Sequence, residues 1–251
     1  MPASESNPGG EVVPGPVFAS THWSVVLTAT QSDTTRARAA LEHLCRIYWY
    51  PLYAYARRRG HSPADAQDLT QEFFARLLEG NWLALADRQR GRFRTFLLSV
   101  MQHFLANEWH KAHAQKRGGQ RAILSLDDPA AEQRYRLEPV ETATPESLFE
   151  RGWALALLND VLARLGAEYI REGKAEWMEA MRPVLTSDRK SICYAEIAER
   201  LGITETAARV AAHRLRRRYR RMIQTAVADT VKAPEEVEEE MRHLFEVLSA
   251  R

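Results

Sequence analysis

Tyr194 to Ile223 reads YAEIAERLGITETAARVAAHRLRRRYRRMI: a short helical period, a glycine, then a longer helical period loaded with arginine. Ile197, Ala198 and Leu201 fall on one face of the first helix, and Gly202 permits a tight turn. Thr204 is placed to cap the second helix, while Ala207, Ala208 and Ala211 are small enough for the two helices to cross closely. Val210 and Leu215 are expected to complete the inner face. This is the layout of a helix-turn-helix. From Glu205 to Arg221 one acid stands against Arg209, Arg214, Arg216, Arg217, Arg218, Arg220 and Arg221, so the partner of the outer face is a polyanion. A second helix seated in a DNA major groove puts Glu205, Thr206 and Arg209 toward base edges, with Thr204 and His213 also expected among its DNA-binding residues. Arg214, Arg216, Arg217 and Arg218 lie further along, where the phosphate backbone passes.

The rest of the chain is helical too. Apolar residues recur at helical spacing in Leu41, Leu44, Cys45, Tyr48 and Leu52, then in Leu69, Phe73, Phe74, Leu77 and Leu78, and again from Phe93 to Leu105. Ser62-Pro63 starts a helix that Gly80 ends, and a third helix is expected from just after Gly91 to about Lys116, stopped by Gly118-Gly119. No strand pattern competes. The expected fold is all-α: two small helical domains, 21–118 and 147–231, joined by a long linker over 119–146 with Asp127-Asp128-Pro129, Glu138-Pro139 and Thr144-Pro145. Residues 1–20 read as a flexible leader and 232–251 as an acidic helix with an apolar stripe of Val237, Met241, Leu244, Phe245 and Leu248. That helix is expected to pack on the second domain.

Composition removes several classes of function. The 45% apolar and 27% charged residues suit a globular chain, and the net charge of +2 hides the separation of the arginine run from the glutamates after Pro234. Cys45 and Cys193 stand alone without a CxxC, which supports neither a disulfide framework nor a cysteine zinc site and fits a reducing cytoplasm. The start of the chain has no secretory signal, and no stretch approaches the ~18 apolar residues of a membrane span. No Gly-rich phosphate loop or nucleophile motif is present, so an enzyme reading fares worst, and no cofactor is expected. His110 and His113 form an HxxH on a basic helix without a third ligand and are read as solvated histidines rather than a metal site.

Asp68-Leu-Thr-Gln-Glu-Phe-Phe-Ala-Arg-Leu-Leu78, followed by Gly91-Arg-Phe-Arg-Thr-Phe-Leu-Leu98 and a basic helix, resembles the core of bacterial sigma factors of the extracytoplasmic-function (ECF) class. With the distal helix-turn-helix the resemblance covers Thr21 to about Ile223. It implies that Asp68, Gln71, Glu72 and Phe74 dock on core RNA polymerase, with at least one of Phe73 and Phe74 in the core. It implies that the first domain opens promoter DNA at the ‑10 element through Asn81, Trp82, Arg88, Arg90, Arg92, Arg94, Asn107, Lys111, Lys116 and Arg117, groups suited to stacking and to phosphate. Trp109 in the same helix leans to burial. The helix-turn-helix would then read a ‑35 element, and an anti-sigma factor is a further partner the resemblance allows. The competing reading is a helix-turn-helix regulator outside the polymerase; it leaves the basic track from Arg88 to Arg117 without a purpose.

The chain also departs from the family pattern. The linker and added helices between Gln120 and Lys190 are long, Ala208 stands where valine is commoner, and the acidic helix after Pro234 is an extension. That helix is either an ordinary packed tail or a strap folded over Arg214 to Arg221 in competition with DNA.

Overall fold

The computed structural model describes residues 35–78, 92–114, 130–138, 143–231 and 233–249. The leader expected over 1–20 lies outside them. The described residues form helices and no strand: α1 Thr35–Arg58, α2 Pro63–Leu78, α3 Phe93–Ala114, α4 Ala131–Arg136, α5 Pro145–Arg171, α6 Ala175–Met181, α7 Pro183–Thr186, α8 Tyr194–Leu201, α9 Glu205–Ala228 and α10 Val237–Ser249. Among them no helix is long and apolar enough to cross a membrane.

Helix α1 is central because its sequence is apolar on every side. From Leu44 to Ala56 every residue but Arg46 is buried, as a helix hydrophobic all round must be. Its tyrosines carry hydroxyls that need partners when buried. The segment after α3 supplies them: Tyr53 donates to Glu132 at 2.7 Å and Tyr50 to Glu138 at 3.0 Å. Arg57 adds an ion pair to Glu132 at 2.9 Å, which holds that carboxyl below its ordinary range. The stretch expected as a linker therefore contains a helix, α4, fastened to α1. Its charged and proline-rich texture concealed this because the tyrosines that hold it lie more than 75 residues earlier.

Helix α5 starts cleanly, with Thr144 accepting from the Ser147 N–H and Pro145 at the first helical position. It crosses α1 where Gly152 meets Pro51: a Cβ at 152 would stand 3.3 Å from Pro51 Cα. The first half of α5 gives Leu148, Phe149, Trp153, Leu157 and Val161 to a core shared with α1, α2 and α3. Its second half gives Leu165 to another core with Met178, Met181, Val184, Ile197, Ala208, Ala212 and Leu215. Helix α9 runs the opposite way, from the second core at Ala208 to the first at Ile223, Ala226 and Val227. The boundary expected at 146/147 thus falls where no break in packing exists. Periodicity reveals an apolar face and not which neighbours share it.

At the end of α9 burial pushes the Asp229 carboxyl from an ordinary 3.8 up to about 6, against the pull of Arg164. The folded chain then binds this proton more tightly than the unfolded one, so stability falls as pH rises from about 4 to about 6 and stays lower above that. With the group only partly buried, Asp229→Asn should stabilise by about 1 kcal/mol at pH 7.5 and by little at pH 4.5. Urea unfolding at the two pH values checks this; an equal gain at both would defeat it.

Candidate nucleic-acid interface

The helix-turn-helix is built from local chemistry. Gly202 sits at φ +63°, the left-handed conformation that ends α8, and Thr204 accepts from the Ala207 N–H at 3.2 Å to begin α9. Ala208 and Ala212 are fully buried, and with Leu215 they form the inner face of α9. Of the alanines expected at the crossing, Ala208 is buried, Ala211 is half-buried and Ala207 is exposed. Val210, expected inside, is 47% exposed. It lies between the buried positions 208 and 212 on the opposite side of the turn, since neighbours two apart on a helix face different ways. It lines a groove of about 1120 Å3 with Trp177, Thr206, Arg214, Arg217 and Arg221.

The arginines of α9 divide by partner. Arg209 pairs with Glu205, Nε to Oε1 at 3.1 Å, and lies over the Tyr194 ring at 4.5 Å. Arg216 donates to the Val184 carbonyl and to the Tyr194 hydroxyl, both at 3.3 Å. Arg218 pairs with Glu168 at 2.7 Å and covers the Tyr169 ring. Arg214, Arg217, Arg220 and Arg221 are exposed and make no ion pair among the described residues. Thr206 and His213 are exposed on the same helix. Arg216 and Arg218 are accordingly structural first, and the free positive charge is Arg214 with the Arg217, Arg220 and Arg221 cluster.

Of the two readings of the acidic helix, the packed tail is the one observed, and no strap lies over Arg214 to Arg221 among the described residues. Helix α10 packs on α5 and the end of α9 through Met241 and Leu244, and its carboxylates reach the start of α3. Arg92 pairs with Glu239 at 2.8 Å and Glu240 at 3.0 Å. Arg94 pairs with Glu150 at 2.7 Å, pairs with Glu240, and lies 4.4 Å over the Trp153 ring. Burial pulls its guanidinium below the ordinary range, against the Glu150 carboxylate. At 2% exposed, Arg94 is a core ion and not a DNA contact, which corrects its expected role. Two cations at a helix N-terminus oppose the helix dipole, and that conflict was the available sign that carboxylates must stand nearby.

On α2, Asp68 is exposed, Gln71 is half-buried, and Glu72 is half-buried in an ion pair with Arg76 at 2.7 Å. Arg76 continues to Glu108 on α3 at 2.8 Å. Phe74 is 1% exposed and Phe73 fully buried, so Phe74 is core rather than a docking contact. Helix α2 packs on both α1 and α3, which gives each of two adjacent rings an interior side. Asn107 is exposed on α3. Lys111 belongs to α3, with its side chain outside the description, as are those of Trp109, His110 and His113. Asn81, Trp82, Arg88, Arg90, Lys116 and Arg117 lie outside the described residues. Among the described residues no group of three or more His, Cys, Asp or Glu is arranged to hold a metal.

Residues 48–115, from the middle of α1 to the end of α3, match the family model for sigma-70 region 2. The chain carries a sigma-70 region 2. The match covers a little over a quarter of the chain and supports a sigma factor role in transcription initiation. No curated protein and no solved structure matches the chain. Helix α10 and the helix-turn-helix both lie beyond the matched span.

Proposed function

We propose that the chain is a sigma factor of the ECF class. It joins core RNA polymerase through the exposed side of α2, reads a ‑35 element with α8 and α9, and opens the ‑10 element with region 2. The observation that carries the reading is the exposed, unpartnered Arg214, Arg217, Arg220 and Arg221 on a capped helix-turn-helix in the same chain as a region 2 domain. Glu205, Thr206 and Arg209 lie at the start of α9, where base edges would be read, and the unpaired arginines lie where phosphates pass. The chain supplies binding and positioning, and the chemistry belongs to the polymerase.

Run-off transcription with purified core polymerase tests this. Addition of the protein should yield a promoter-specific transcript. Asp68→Ala should lower that transcript and the affinity for core polymerase several-fold, about 1 kcal/mol for one exposed interface charge, while leaving binding to isolated duplex DNA unchanged. Duplex binding without a transcript would instead identify a regulator acting outside the polymerase.

A further inference from the structure

Helix α10 carries two of its acids, Glu239 and Glu240, to the N-terminal end of α3. Three tethers hold it there: the Arg92 pairs with Glu239 and Glu240, the buried Arg94 pair with Glu240, and His243 Nε2 at 3.1 Å from Glu150. A backbone bond from the Phe93 N–H to the Thr230 carbonyl, at 3.5 Å, joins the same two regions. Two guanidiniums, Arg92 and Arg94, thus face three carboxylates, Glu150, Glu239 and Glu240. The start of α3 carries two positive charges when region 2 is read alone; Glu239 and Glu240 of α10 offset them, and Glu150 of α5 adds a third carboxylate.

The two arginines are not equivalent. Arg94 is buried under Trp153 and paired with both Glu150 and Glu240. Arg92 is partly exposed, and Glu239 is 65% exposed. Exchanging Glu239 for a phosphate at Arg92 returns a carboxylate to water and leaves no buried charge alone, because Glu240 retains Arg94. Exposed ion pairs of this kind are weak enough to exchange.

We infer that α10 is an intramolecular competitor for nucleic acid: anchored through the Arg94–Glu240 pair, it holds Arg92 with Glu239 until a single-strand phosphate takes the place of Glu239. The inference rests on the reading of region 2 as a DNA-opening domain. It adds that this face is partly neutralised in the free protein.

The test uses the full-length chain and a fluorescent A/T-rich single-stranded 12-mer at low salt. Glu239→Gln/Glu240→Gln should tighten binding about fivefold. Glu238→Gln/Glu246→Gln removes the same charge from the same helix without touching Arg92, and should change binding by less than half as much. If burial of the amide at 240 unfolds the chain, Glu239→Gln alone should still give about a twofold gain. Adding Arg92→Gln should abolish the gain. Unchanged affinity, an equal gain from the control pair, or a gain that survives Arg92→Gln would each overturn the competitor. If Arg92→Gln weakens binding while the glutamate variants do nothing, the competitor fails and the DNA reading stands. If Arg92→Gln has no effect in any background, Arg92 is no DNA contact and both fail at that residue.

Discussion

Trp153→Ala is expected to lower the unfolding free energy by about 3–5 kcal/mol, the range for deleting a large aromatic from a packed core. Trp153 is fully buried on α5, and its ring is the face on which the Arg94 guanidinium rests. Removing it leaves a cavity and also strips one side from a buried cation that still needs Glu150 and Glu240. Trp153→Phe retains an aromatic face and should cost less than half as much. Chemical unfolding of the three proteins at one pH checks the order, and a Trp153→Ala loss under 1 kcal/mol would show that the site collapses around the gap or that the cluster contributes little.

Binding of duplex DNA containing the upstream element should fall about a hundredfold at low salt in Arg214→Ala/Arg217→Ala, with charge-assisted contacts taken at the low end of their range. The dependence of log affinity on log salt should flatten by about 2, one unit for each phosphate that the variant leaves unneutralised. Arg218→Ala is the informative comparison. Its guanidinium is already held by Glu168 and Glu172, so its removal should reduce stability more than DNA affinity. Fluorescence anisotropy across a salt series separates the cases. A flattening as large for Arg218→Ala as for the exposed pair would mean that Arg218 leaves its internal partners to meet DNA.

The local parts of this interface were legible in the sequence. Thr204 as a cap, Gly202 as the turn and Ala208 in the crossing are decided by residues within one turn of one another, where backbone geometry and side-chain size act directly. What depended on distant partners was not. The segregation of glutamate from arginine gives signs of charge and not which arginine meets which glutamate; the geometry sends Glu239 and Glu240 to Arg92 and Arg94 instead of the run after Arg214. Phe74 looks available when one helix face is taken at a time, whereas α2 has neighbours on two sides. Helix α4 was hidden because its sequence carries few apolar residues, and the hydroxyls of Tyr53 and Tyr50 hold its Glu132 and the following Glu138 from α1.

Helices α5 and α9 each belong to both cores, and this sets a mechanical condition on the molecule. A hinge made of coil can change the spacing of two binding surfaces at almost no enthalpic expense, but a pair of antiparallel rods spanning both cores has no such joint. To place region 2 and the helix-turn-helix at any other separation, Ile223, Ala226 and Val227 would have to leave Met241 and Leu244, exposing apolar surface to water. If the chain acts as proposed, its reach along a promoter is coupled to partial unpacking, and whatever stabilises the spread arrangement must supply the interactions that the rods give up.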